Sequence, residues 1–271
     1  MKKRALSLGI CIPVWNRGDL LKASFKSLMG ALSGITAAVW IFDNGSEKST
    51  REIIQHLSYG RHRIFKVFLP ENMGIPYVVN SFCQMVAQDC NYTGHLAPEF
   101  IMLMDSDVYF KRPIKDLLRI LDSNSHFAIV SGHDSIEHPA TATYTLKIGR
   151  RKLFFKEKKI ERMCCMVMRR SELELCCPFP HHRIADVDWE LTQWNSNSLA
   201  KRKRKLISVD SVAHIGLYDS TWNQSGVPAS LEQMEEINKI LKKHHLLTPR
   251  RTKTYRRFVR RLEETGKFWN G

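Results

Sequence analysis

The sequence predicts an α/β protein built on a mostly parallel, doubly wound sheet. Three observations carry that prediction. Apolar runs of strand length alternate with stretches of helical spacing from the N-terminus through residue 130, the pattern of strands joined by crossover helices. The runs are continuously apolar, as strands buried on both faces are. Each run ends in polar residues, Asn16 and Arg17, Asp43 and Asn44, Asp105 and Asp107, so these gather at one edge of the sheet, the carboxyl edge where ligands of such folds bind.

ALSLGICIPVW reads as the first strand, and Asn16-Arg17-Gly18-Asp19 turns the chain into a helix over LLKASFKSLMGAL. AAVWIFDNGS repeats the motif of strand and polar turn, and STREIIQHLS is the next helix, with Ser49 or Thr50 as its cap. RIFKVFLP is a third strand, GIPYVVNSFCQMVAQDC a third helix and EFIMLMDSD a fourth strand. KIGRRKLFFKEKKIERMCCMVMRRSELE reads as a basic hairpin or loop followed by an apolar strand, MCCMVM. Helical spacing returns in LEQMEEINKILKKHHLL, and a basic segment interleaved with aromatics follows Pro249. That segment has three readings: an amphipathic helix on anionic lipid, a strip tracking a nucleic-acid backbone, or a helix packed back on the domain.

Composition bounds the rest. The 271 residues, 43% of them apolar, bury a full core as one large domain or a domain with an appendage. No apolar stretch reaches the ~18 residues of a membrane-spanning helix, and the apolar run near the N-terminus is too brief for a signal peptide. The expectation is a soluble cytoplasmic protein, with peripheral membrane contact as the alternative. Seven cysteines, with Cys164-Cys165 and Cys176-Cys177 adjacent, no even count and no C-x-x-C spacing, argue against a disulfide framework or a zinc site and for reduced core thiols. The charge is uneven: residues 1–140 hold 15 Lys/Arg against 13 Asp/Glu, and residues 141–271 hold 27 against 14. Runs such as Lys201-Arg202-Lys203-Arg204-Lys205 and the cations from Arg250 to Arg261 are each compatible with a solvated face. Together on one half they point to a polyanionic partner or an acidic membrane surface.

The strongest chemical signal is Asp105-Ser106-Asp107 after the run EFIMLM. Alternate residues of an extended segment point the same way, so Asp105 and Asp107 share a face. Adjacent carboxylates repel unless a cation or hydroxyls neutralise them. Hard oxygen ligands suit Mg²⁺ or Mn²⁺ that keeps positions open for phosphate. An Asp-rich turn closing a strand is the plainer reading of an isolated D-x-D.

The ordered series CIPVWNR, IFDNGS, ENMGIPYVVN, MLMDSDVYF, CCMVMRRSELE, ADVDWEL and AHIG resembles the family 2 glycosyltransferases of the GT-A fold. The likeness spans residues 6–220 and leaves the C-terminal stretch outside. It implies a metal-dependent, inverting transfer from a UDP-sugar. Backbone at Ile12 and Pro13 and the side chains of Asn16 and Arg17 would line the base and ribose pocket. Asp43 would accept from the uracil imide N–H, as an ionised carboxylate suits a donor; alternatively, Asp43-Asn44-Gly45-Ser46 is a turn capping a helix. Asn72 and Gly74 open the next helix, at the donor edge or in an ordinary turn. Asp105 would contact the ribose, Ser106 lies beside it in the donor-binding turn, and Asp107 would hold Mn²⁺ or Mg²⁺. His214 would be a further metal or phosphate ligand, or a satisfied core histidine. The base would be Asp186, with Asp188 in support, within ~3 Å of the acceptor hydroxyl; helix capping near Trp189 is the alternative. The family usually reads Glu-Asp-x-Asp here, and Ala185 replaces that Glu.

The implied layout is a GT-A domain over 1–228, with a donor half (1–130) and an acceptor half (131–228), and a basic helical extension over 229–271. The acceptor is a cell-envelope glycan or lipid, or a modified base in DNA as in phage-type DNA glycosylation. The competing class is a non-catalytic nucleic-acid- or membrane-binding protein on a degenerate transferase fold. The acidic residues and His214 weigh against it, because a basic surface needs none of them.

Overall fold

A computed structural model describes residues 7–60, 62–93, 98–134, 139–148, 150–159, 164–179, 197–218 and 230–265. In chain order the elements are β1 (Ser7–Val14), α1 (Gly18–Ala31), β2 (Thr36–Asn44), α2 (Lys48–His56), β3 (Arg63–Leu69), α3 (Ile75–Thr93), β4 (Phe100–Met104) and β5 (Val108–Phe110). There follow α4 (Ile114–Ser123), β6 (Phe127–Ser131), β7 (Ala140–Ile148), β8 (Arg151–Lys158), β9 (Cys165–Arg169) and α5 (Arg170–Cys176). The remainder comprises β10 (Lys205–Ser208), β11 (Val212–His214), a 3-10 turn (Ile215–Tyr218), α6 (Leu231–Lys243) and α7 (Pro249–Thr265).

The main sheet runs β3-β2-β1-β4-β9-β6-β10-β8-β7. Its first four strands are mutually parallel. The chain therefore winds outward from β1 to β3 on one side and crosses to β4 on the other, which puts the topological switch point between β1 and β4. Beyond β4, β9 is antiparallel to both its neighbours, β10 is parallel to β6, and the β7/β8 hairpin closes the edge antiparallel. The basic segment thus contains the β7/β8 hairpin, and the apolar run after it supplies the central strand β9 (Cys165–Arg169) between β4 and β6.

Burial on both faces explains the continuous apolar runs. Leu8, Ile10, Ile12 and Val14 of β1 enter one core layer with α1, α2 and α4, while Cys11 enters the other with α3 and α5. Strand β4 repeats this: Phe100, Met102 and Met104 on one side, Ile101 and Leu103 on the other. Alternate residues face opposite layers, so neither face tolerates a polar side chain.

A third apolar cluster joins Leu20 and Ala23 of α1 to Ala213 and Ile215, to Met234, Ile237 and Leu241 of α6, and to Phe258 of α7. Helix α6 begins with a capping box in which Ser230 accepts from the Gln233 backbone N–H and the Gln233 side chain accepts from the Ser230 N–H, satisfying two otherwise orphaned donors. The Phe258 side of α7 lies against the protein, the third of the readings open for this segment. Among the described residues no helix is long and apolar enough to cross a membrane.

Two local expectations change. Helix α2 starts at Lys48 with Glu47 at its N-cap, and neither Ser49 nor Thr50 caps it. The reason is tertiary: the Glu47 N–H donates to Asn16 Oδ1 and the Ser46 N–H to Asp43 Oδ1, both at 2.9 Å, so side chains outside the helix satisfy the donors just ahead of it. Likewise Asp105 and Asp107 lie on a turn after β4 ends at Met104, not on the strand itself.

Candidate metal and donor site

At the switch point, β1 exits into Asn16 and Arg17, both left-handed with φ 58°, a conformation uncommon for residues other than glycine. It is held by partners on the next strand's exit. The Asn16 N–H donates to Ser46 Oγ at 2.9 Å, and Asn16 Oδ1 receives the Glu47 N–H. Arg17 then stands at the N-cap of α1 and directs Nη1 to Asp107 Oδ2 at 2.7 Å.

Asp107 is buried, and its other oxygen, Oδ1, lies 3.0 Å from His214 Nε2. His214 arrives from far along the chain on β11, which pairs antiparallel with β5 and sets His214 opposite Val108. Anchors on both sides fix that ribbon: the Ser211 N–H donates to Gly132 O, the Lys111 N–H to Ser211 O and the Phe110 N–H to Ser27 Oγ of α1. The Ile215 N–H donates to the Asp107 carbonyl, and the Asp105 N–H to the Cys164 carbonyl. Gly216 follows because nothing larger fits, since a Cβ there would stand 1.7 Å from Asp107 Oδ2.

Ligand atoms of Asp105, Asp107 and His214 all lie within 4.8 Å of one another. Burial alone would raise the Asp107 pKa, but the charges of His214 and Arg17 outweigh it and hold the carboxyl well below the usual range. Burial opposes charge on His214, and the Asp107 and Asp105 carboxylates outweigh it, raising its pKa. The two carboxylates are hard, anionic oxygen donors of the kind that takes Mn²⁺ or Mg²⁺, and the neutral imidazole would add a borderline nitrogen. The residues therefore fit a divalent ion.

The other expected donor residues divide. Ile12 is a core side chain and Pro13 is buried beside Phe42, so they meet the site only through backbone. Ser106 is buried in the turn between the carboxylates. Asp43 is fully buried, with Oδ1 taking the Ser46 N–H and Oδ2 2.7 Å from Arg51 Nε. Oδ1 is thus bonded within the turn, and Oδ2 faces the guanidinium of Arg51 on α2. Asn72 Oδ1 accepts from Asn44 Nδ2 at 2.9 Å and from the Gly74 N–H at 3.0 Å, while Asn44 Oδ1 accepts from the Met73 N–H. Gly74 is left-handed at φ 83°. Gly45 permits this approach, because a Cβ there would lie 2.3 Å from the Glu71 carbonyl carbon.

Sequence reasoning placed Asn44 at this edge but did not single out Ser46, Arg51 or Gly216 as site-building residues. Ser46 lies inside the IFDNGS motif and Gly216 inside AHIG, so both were legible there; Arg51 gave no local signal. Trp15, more than half exposed, also stands at this edge. Asp186 and Asp188, with Trp189, Trp194 and Trp222, lie outside the described residues.

The 201–205 run is partly internal. Arg202 and Arg204 both bind the buried Glu172, the first at 2.7 Å, and Lys205 reaches Glu157 at 2.8 Å. Lys201 and Lys203 remain exposed.

The chain superposes on the mannosyltransferase PcManGT from Pyrobaculum calidifontis in complex with GDP-Man and Mn²⁺, with a TM-score of 0.56 and 13% identity, over 97% of this chain and 77% of that one. S. aureus TarS 1-349 gives 0.51 and 14% over 96% and 72%, and its complex with UDP-GlcNAc gives 0.51 and 13% over 96% and 73%. No curated protein sequence matches the chain. At such identities the likeness shows the fold, which is GT-A. Residues 9–174, more than half of the chain, match the profile of glycosyl transferase family 2, and the chain belongs to that family. It is a nucleotide-sugar-dependent glycosyltransferase.

Proposed function

We propose that this enzyme is metal-dependent and transfers a sugar from a UDP-sugar, with inversion, to a polyanionic or membrane-presented acceptor. The observation that carries the reading is the convergence of Asp105, Asp107 and His214 at the switch point. Two structural neighbours were solved with a nucleotide sugar, one of them with Mn²⁺. Asp107 and His214 would hold the ion, and Asp105 would lie beside the ribose. When bound, the ion supplies charge stabilisation to the departing nucleoside diphosphate. The chain's own groups do the rest. Asn16 locks the β1 exit to the β2 exit, Gly216 lets the segment after His214 close over Asp107, and Arg17 adds a cation. The test is to incubate the protein with Mn²⁺ or Mg²⁺ and a panel of nucleotide sugars, with DNA or lipid extracts as acceptors, and to measure nucleoside diphosphate release. Asp107→Asn should lower turnover by about a hundredfold or more, and full activity in EDTA would refute metal dependence.

For the base we propose Asp186, supported by Asp188. Asp186→Asn is nearly isosteric yet takes no proton, so kcat should fall by roughly 10²–10⁴-fold while UDP-sugar binding holds. Loss of turnover in Asp188→Asn alone would shift the assignment by two residues.

The acceptor half over 131–228 and the extension over 229–271 are proposed to meet the anion, in a cytoplasmic enzyme with peripheral membrane contact as the lipid-acceptor case. Supporting this, Arg250, Lys253, Arg256, Arg257 and Arg260 of α7 are exposed, whereas three cations of the 201–205 run serve internal carboxylates.

A further inference from the structure

Arg17 engages one oxygen of a carboxylate that belongs to the candidate metal set. Its Nη1 lies 2.7 Å from Asp107 Oδ2 while His214 stands on Oδ1 at 3.0 Å, so both oxygens are engaged before any ion or donor arrives. The backbone beneath this contact is pinned. Asn16 is bonded to Ser46 and Glu47, and the Arg17 carbonyl accepts the Leu21 N–H in the first turn of α1 at 3.1 Å. The side chain is different: it is about one-third exposed, against 3% for Asp107. A divalent ion brought to this carboxylate would be repelled by the guanidinium and would compete with it for the carboxylate's charge. A diphosphate offers the displaced guanidinium a planar, bidentate partner.

We propose that Arg17 is the resident counter-cation of the donor site, holding Asp107 until metal and diphosphate arrive together and then transferring its charge to the diphosphate. The inference rests on reading this site as one for metal and diphosphate. It makes the two ligands cooperative: metal alone must evict Arg17 with nothing to receive it, whereas metal with diphosphate finds Arg17 a new partner. Coupling of this kind is reciprocal. Removing the guanidinium therefore has opposite signs on the two ligands, tightening metal alone and weakening diphosphate in the presence of metal. A residue that merely props the site open would weaken both.

The test titrates the full chain with Mn²⁺, following the free-ion EPR signal, with and without saturating UDP, and titrates UDP calorimetrically at saturating Mn²⁺. Wild type should bind Mn²⁺ weakly alone and about tenfold or more tightly with UDP. Arg17→Gln should bind Mn²⁺ alone about tenfold more tightly than wild type, with UDP weakened by a similar factor. Arg17→Lys keeps the charge without the fork and should fall between; it also serves if the glutamine variant does not fold. Unchanged or weaker Mn²⁺ binding in the Arg17 variants, alongside its loss in Asp107→Asn, would overturn the role of Arg17 and leave the metal site standing. No Mn²⁺ binding by any form, with UDP still bound, would overturn both.

Discussion

Gly216 shows how little freedom the site leaves at the scale of one residue. An added methyl would sit 1.7 Å from Asp107 Oδ2, so Gly216→Ala must push the carboxylate away from His214 and Arg17 or open the 3-10 turn. The expected outcome is a turnover loss of about a hundredfold, the usual effect of a displacement of about 1 Å at a reacting centre, with the melting temperature near that of wild type. Unchanged kinetics would mean that the turn moves instead of Asp107. Asp43 is the counter-example among carboxylates. It follows an apolar strand as Asp105 does, yet Ser46 bonds to Oδ1 and Arg51 pairs with Oδ2. An Asp at a strand exit is legible from sequence as an acceptor; which donor reaches it first is not.

At the scale of elements, the β5/β11 ribbon and the hairpin matter most, because they carry distant residues to fixed places. The segment after β6 is tied to β8 and β10 through Asp134, which binds Lys156 and the almost fully buried Lys158 at 2.7 Å and accepts from Ser208 Oγ. Burial raises the Asp134 pKa, and the two lysines and Ser208 lower it by more, so the folded value lies below the ordinary one. A carboxyl shifted this way stabilises the fold above its unfolded pKa of about 3.9, and that contribution is lost as pH falls through the folded value. Asp134→Asn would remove the carboxylate beside the buried Lys158 and should cost about 3 kcal/mol at neutral pH. Its stability should also fall less steeply than that of wild type on acidification below pH ~4. Denaturant melts of both proteins at neutral and acidic pH check this, and parallel acid limbs would show that Asp134 is not the linked group.

At the scale of the whole molecule, the proposed donor site sits at one switch point while the exposed cations of α7 lie on a separate helix. Helices α6 and α7 pack on α1 and on the segment that follows His214. If α7 meets the polyanion, binding should fall with salt along a log–log slope of about −0.9 per neutralised phosphate of duplex DNA. Glutamine at Arg250, Lys253, Arg256, Arg257 and Arg260 should flatten that slope and leave UDP binding intact. Glutamine at Arg202 and Arg204 should instead lower the melting temperature, because Glu172 loses its partners. Running duplex DNA and anionic vesicles side by side identifies the anion, and binding to neither at physiological ionic strength would remove the polyanion proposal. The order of strands and helices through β4, the acidic turn after EFIMLM and the basic second half were legible in the sequence alone, because apolar periodicity and polar strand exits are local consequences of burial. The partners of those exits were decided by tertiary structure. His214 reaches Asp107 only because β11 crosses to pair with β5, and Arg51 takes Asp43 only because α2 folds back beside the turn. The run 201–205 looks like a free patch until Glu172 and Glu157 are brought beneath it. A residue's charge is written in the chain, whereas its counter-charge comes from whichever distant element packing sets beside it.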